Sequence, residues 1–196
     1  MKVVASKIVL FLFMFFFFAW SSFKAVEHSS LLWCMRAFVG LVGSICVFRS
    51  APHRTRDTST VALFVSWASV ICPLLYSYNY TDNNDLYLVL TVAGLAISGI
   101  SLLELDKSFG IVPGFRELKT SGLYRIVRHP IYAGYLLASL GWLLYTPSLG
   151  NCFVYLAQFF FTVTRIHFEE RLLQSSCPEY AEYKNLTKFK LIPLVF

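Results

Sequence analysis

Charge is scarce in this sequence. Asp, Glu, Lys and Arg make up 14% of its 196 residues, against 57% hydrophobic, where a soluble domain carries about a quarter charged. Glycine is sparse too, with 10 residues, and no Gly-rich loop of a soluble nucleotide-binding domain is present. The five cysteines (Cys34, Cys46, Cys72, Cys152, Cys177) contain no CxxC pair and mostly fall inside apolar stretches. They read as small buried hydrophobes, which excludes a disulfide framework and a zinc site, and no metal is expected. Acidic residues are outnumbered 11 to 17 by basic ones, for a net charge of +6. The basic residues sit between and after apolar blocks rather than along one stripe, the flanking pattern of membrane helices and not the footprint of a nucleic-acid binder.

What is present is long apolar sequence. A helix crossing a bilayer core of about 30 Å needs about 20 mostly apolar residues, because lipid offers backbone amides no partner. Blocks of this kind run over Val3–Trp20, Leu31–Phe48, Val61–Tyr78 and Leu86–Leu103. Two more, Ile131–Tyr145 and Cys152–Thr164, flank the turn Thr146–Asn151, whose Pro147 and Gly150 suit a helical hairpin. The expected fold class is all-α: a polytopic membrane protein of about six transmembrane helices, or five if the first is cleaved as a signal. No A-x-A-like site follows Trp20, which favours a retained helix. Arg36, inside the second block, is expected near the interface with its head snorkelling outward, a paired functional role being the alternative.

Charge sets the orientation. The connector Arg49–Thr60, the stretch Glu104–Pro130 and the C-terminal tail are rich in Lys and Arg; the links Asn79–Asp85 and Thr146–Asn151 have none. Six spans with both termini in the cytoplasm satisfy the alternation, in the plasma membrane of a bacterium or the endoplasmic reticulum of a eukaryote. Asn79-Tyr80-Thr81 is a glycosylation triplet on the expected outer side. The chain divides into 1–103, four membrane helices, and 104–196, the polar loop, hairpin and C-terminal helix. Oligomeric state is not legible.

Chemistry is expected in the second part. Pro130 suits the first turn of a helix, which puts Arg128 and His129 at its N-terminus, where anions are favoured. Composition alone does not separate a carboxylate or phosphate site from a loop that meets lipid headgroups. Downstream, Arg165 and Glu169 are i and i+4 on one helical face, with Glu170 beside them. That is either an ordinary ion pair at a helix end or a carboxylate pair for a ligand's ammonium or ribose hydroxyls. Tyr180, Tyr183 and Lys184 follow at i, i+3, i+4.

Taken together, Ser121-Gly122-Leu123-Tyr124, Arg128-His129-Pro130-Ile131-Tyr132, the hairpin, Arg165 with Glu169-Glu170, Tyr180 with Tyr183, and Leu191-Ile192-Pro193 resemble the isoprenylcysteine carboxyl methyltransferase and phospholipid methyltransferase group. The resemblance covers about residues 104 to 196. It implies a membrane enzyme that uses S-adenosyl-L-methionine on a lipophilic or prenylated substrate among membrane lipids. Position by position, it implies cofactor binding by Leu118, Lys119, Tyr124, His129, Pro130, Ile131, Tyr132, Glu169 and Glu170, with Arg165 orienting the substrate. One departure is Lys190, where many relatives carry arginine; the charge survives without the bidentate fork.

Methyl transfer from a sulfonium is an in-line displacement, so alignment is the enzyme's main task. A carboxylate acceptor is already ionised at neutral pH and needs no base, whereas an amine must first lose a proton. The first expectation is therefore methylation of an isoprenylcysteine-like carboxylate. The alternatives are N-methylation of phosphatidylethanolamine, S- or O-methylation of a smaller apolar acceptor, and a non-catalytic membrane protein such as a transporter. A lateral opening between the fourth span and the hairpin would admit lipid-borne substrates.

Overall fold

A computed structural model describes residues 2–28, 31–52, 54–57, 59–77 and 85–193; the Asn79-Tyr80-Thr81 triplet lies outside them. The apolar blocks become helices: α1 (Lys2–His28), α2 (Leu31–Arg49), α3 (Thr60–Ile71), α4 (Asp85–Leu105), α5 (Pro130–Tyr145) and α6 (Leu149–Ser176), followed by the short α7 (Tyr180–Leu186). The all-α expectation needs one addition, the antiparallel pair β1 (Thr55–Arg56) and β2 (Gly114–Phe115), with Thr55 opposite Phe115. This pair, with Ala51 N to Lys107 O at 2.9 Å and Arg54 N to Phe115 O at 2.8 Å, ties the connector after α2 to the loop after α4. Two of the Lys/Arg-rich segments thus meet on one side of the helices.

One helix is shorter than its apolar block and one is longer, each for local reasons. α3 stops at Ile71 because Pro73 follows, and a 3-10 turn over Cys72–Leu74 ends the apolar run. α6 runs past the end of its apolar block at Thr164 to Ser176, with the helical face expected for Arg165 and Glu169. No Gly or Pro interrupts that stretch, and Arg165–Glu169 and His167–Arg171 pair at i, i+4. Among the described residues, one helical stretch, Leu86–Ser108, is both long and apolar enough to cross a bilayer; Phe11–Lys24 and Thr60–Leu74 are apolar but shorter.

Many large apolar side chains face outward, and several polar ones are buried among the apolar core. Phe16, Phe38, Phe48, Phe64, Leu103, Phe153 and Phe160 are exposed, while Thr91, Ser98, Asn151, Gln158 and Arg36 are buried. A surface this apolar suits lipid and not water. Arg36 differs from its expected snorkelling position, because Phe17, Trp33 and Trp142 enclose it.

The helices approach through small residues, the packing that works where hydrophobicity drives nothing. A Cβ at Gly134 would lie 2.4 Å from Ser98 Oγ and 2.6 Å from Gly94 O, and one at Gly94 would lie 2.3 Å from Ala138 N. α4 and α5 therefore meet backbone to backbone and leave no passage between them at this level, contrary to a lateral opening there. At the opposite end from the polar loop, Asn151 accepts from Ser77 N at 3.0 Å and donates to Thr146 O at 2.7 Å, joining the segment after α3 to the α5–α6 turn.

Candidate functional site

The site begins with the direction of consecutive residues on α6. Neighbours on a helix point about 100° apart, so Glu169 and Glu170 serve different surroundings. Glu169 faces α5 and α3: its Oε1 accepts from the Tyr132 hydroxyl and from Arg165 Nε at 3.1 Å. Arg165 also donates to Ser69 Oγ at 3.2 Å and Gly110 O at 3.3 Å, and its guanidinium lies 4.9 Å from the Tyr132 ring centre. The ion pair expected from i, i+4 spacing forms, and it forms in the wall of a cavity.

Glu170 turns away from that cavity. Its Oε1 accepts from Arg128 Nε at 2.8 Å, its Oε2 is 3.4 Å from Lys190 Nζ, and His129 Nε2 lies 3.4 Å from Oε1. Burial raises its pKa, but His129, Arg128 and Lys190 more than reverse this and hold the carboxyl at about 2. His129 spans both glutamates, with Nδ1 3.8 Å from Glu169 Oε2, and its ring stacks on Tyr132 at 5.7 Å. The C-terminal segment completes the arrangement: Arg128 N and His129 N each donate at 2.9 Å, to Phe189 O and Lys190 O, and Arg128 Nη1 donates to Thr187 O at 3.1 Å.

The loop from 109 to 125 closes one end. Gly122 sits at φ +61°, and a Cβ there would strike Glu104, whose carboxylate accepts from Leu123 N at 3.0 Å; glycine is required. The 3-10 turn that follows (Gly122–Arg125) buries Tyr124, whose hydroxyl reaches Ser101 O at 3.4 Å and whose carbonyl accepts from Tyr183 Oη at 2.7 Å. Burial, aided by Glu169 and Glu104, pushes the Tyr124 phenol well above its ordinary value, so it stays a neutral donor. Arg116 braces the loop from beneath, donating to Ala51 O at 2.7 Å and Ser108 O at 3.1 Å. Burial, with Arg56 nearby, lowers its pKa to about 10, still protonated at neutral pH.

Of the residues singled out from sequence, Leu118, Lys119, Tyr124, His129, Ile131, Tyr132, Arg165 and Glu169 all line one elongated cavity. Pro130 and Glu170 do not; Pro130 is buried at the first position of α5, and Glu170 stands behind the wall. Tyr180 and Tyr183 of α7 join the polar end, and the Tyr180 hydroxyl is buried with no hydrogen-bond partner among the described residues. Sequence reasoning missed the other walls. Phe13, Phe17, Arg36, Ser69, Tyr76 and Ser139 extend the cavity between α1, α2, α3 and α5, so residues before and after position 103 build it together. Within apolar blocks these side chains carry no signal, apart from Arg36, whose charge marked it.

Comparison with known proteins bears on the segment that holds this geometry. An 85-residue stretch is 33% identical to a delta(14)-sterol reductase of Mus musculus, covering 41% of this chain and 20% of that protein. The chain therefore spans about a fifth of the length of that relative. Residues 86–178, from α4 through α6, match the model of the phospholipid methyltransferase family, and the matched segment carries Arg128 to Tyr132 and Arg165 to Glu170.

Proposed function

We propose that this chain is a membrane methyltransferase that takes its methyl group from S-adenosyl-L-methionine and gives it to a lipophilic acceptor. The observation that carries the reading is the junction at Arg165 and Glu169. On one side lies the polar end of the cavity, with Leu118, Lys119, Tyr124, His129, Tyr180 and Tyr183; on the other lies an apolar interior. The polar end fits the donor's chemistry: Glu169 offers a carboxylate to an ammonium or to ribose hydroxyls, and the Tyr180 hydroxyl awaits a partner. When bound, the donor supplies an electrophilic methyl on a sulfonium.

The chain's own residues align and exclude. Arg165, fixed by Glu169, Ser69 and Gly110, presents a cation where the acceptor's reacting group would enter. A carboxylate is oriented by that cation without proton transfer, which favours an isoprenylcysteine-like or other lipophilic carboxylate over an amine. Glu170, held by Arg128 with Lys190 and His129 close by, stands behind the cavity wall and supports the site's shape. The reading includes six spans, both termini in the cytoplasm and the donor entering on the cytoplasmic side; the apolar exterior and the paired basic connectors support this.

The sterol reductase match favours a second reading, reduction of an apolar substrate, which needs a hydride donor such as a reduced nicotinamide nucleotide. Purified protein in nanodiscs, given labelled S-adenosyl-L-methionine with a panel of prenylcysteine carboxylates, phosphatidylethanolamine and small thiols, and in a parallel arm a reduced nicotinamide nucleotide with an unsaturated sterol, separates the cases. Label transfer to the carboxylates is expected. Transfer only to amine headgroups would overturn the carboxylate preference, and turnover only with a reduced nicotinamide would overturn the methyltransferase.

A further inference from the structure

The cavity has a second polar locus, at the end away from Glu169. Tyr132, Tyr135, Ser139 and Trp142 lie at i, i+3, i+7 and i+10 on one face of α5, and all four line the cavity. At 1.5 Å per residue this face spans about 15 Å. At its far end stands Arg36, 5% exposed, with its guanidinium carbon 5.6 Å from the Phe17 ring centre, 5.1 Å from that of Trp33 and 5.2 Å from that of Trp142.

Ring faces stabilise a cation from above and below but accept little at its N–H edge. Arg36 forms no hydrogen bond or ion pair among the described residues. Tyr76, 3% exposed and within electrostatic reach of Arg36, has a buried hydroxyl that faces the Ser139 side chain and meets no other hydrogen-bond partner among the described residues. A guanidinium and two hydroxyls therefore converge on one end of an otherwise apolar chamber, with no acidic group beside them among the described residues. A buried cation without a counter-charge is costly, and the ligand that complements it carries a negatively charged oxygen group.

We propose that Arg36, with Tyr76 and Ser139, forms an anion subsite for the distal end of the acceptor. The acceptor is then an amphiphile with two polar ends: a reacting group beside Arg165, an apolar body of about 10–15 Å along the α5 face, and a carboxylate or phosphate at Arg36. This deepens the methyltransferase reading and rests on it for the role of the Arg165 end.

The probes are dodecanoate, its methyl ester and acetate, titrated into the full chain in nanodiscs, with S-adenosyl-L-methionine titrated separately. The wild type should bind dodecanoate about tenfold or more tighter than the ester, as a charge-assisted hydrogen bond gives, and should bind acetate far more weakly than either. In the Arg165→Gln background, where Arg36 alone can take the carboxylate, the preference should persist, and adding Arg36→Gln should abolish it while leaving the ester's affinity unchanged. Tyr76→Phe, which removes one oxygen, should weaken dodecanoate alone and serves if Arg36→Gln does not fold. Equal affinity for acid and ester in the wild type overturns the subsite. So does a preference lost in Arg165→Gln, one kept when Arg36→Gln is added to it, or one that Tyr76→Phe leaves unchanged in that background. Failure of the donor titration refutes the methyltransferase reading alone, because the probe preference is read without donor.

Discussion

Replacing Glu170 by Gln isolates what the buried charge cluster does. The carboxylate lies 2.8 Å from Arg128 Nε and 3.4 Å from both Lys190 Nζ and His129 Nε2, and its pKa falls from the ordinary 4.5 to about 2. At about 1.4 kcal/mol per unit this corresponds to about 3 kcal/mol, and solvent screening reduces it to about 2 kcal/mol. Because the folded state depresses the pKa, the contribution is complete above the unfolded value of 4.5 and is lost as pH falls toward about 2. Denaturant unfolding in detergent, run as a pH series on the wild type and Glu170→Gln, measures it. The variant should be less stable by about 2–3 kcal/mol at pH 6 to 7, and the two proteins should converge between about pH 4.5 and 2. A difference that is near zero at neutral pH, or that does not change on acidification, would refute the assignment of Glu170 to holding the site together.

Other perturbations test other parts of the structure. Gly134→Leu should separate α4 from α5 and cost about 1–3 kcal/mol or more, read as a lower melting temperature, while Gly150→Ala, which meets only a Ser148 Oγ at 3.9 Å, should change little. Asn151→Ala leaves Ser77 N and Thr146 O without a partner and should destabilise by about 1–3 kcal/mol in thermal unfolding. Arg165→Lys keeps the charge but loses the fork that joins Glu169, Ser69 and Gly110. In methyl-transfer assays it should lower kcat for a carboxylate acceptor by about tenfold or more with little change in donor affinity.

Much of the helical layout is legible in the sequence, because apolar blocks separated by polar connectors have few alternatives in a chain this poor in charge. The boundary that moved follows local chemistry, Pro73 ending α3 early, whereas α6 carries on past its apolar block along the helical face expected for Arg165 and Glu169. β1 and β2 carry no usable pattern at two residues each. In the site, spacing put Arg165 and Glu169 on one helical face, but the roles expected of them and of His129 to Tyr132 came from the resemblance to the methyltransferase group and not from spacing. The different roles of Glu169 and Glu170 follow from the same geometry, but only their neighbours reveal which one faces the cavity. Ser69, Tyr76 and Ser139 were out of reach, since a lone polar residue in an apolar helix shows neither its orientation nor its partner.

In the proposed function, the polar end of the cavity binds S-adenosyl-L-methionine through Glu169. Calorimetric titration of the donor into the full chain in nanodiscs, for the wild type and Glu169→Gln, tests it directly. Saturable binding to the wild type, weakened about tenfold or more by the loss of one charged hydrogen-bonding carboxylate, is the predicted result. Absence of saturable binding, or equal affinity in the two proteins, would contradict it.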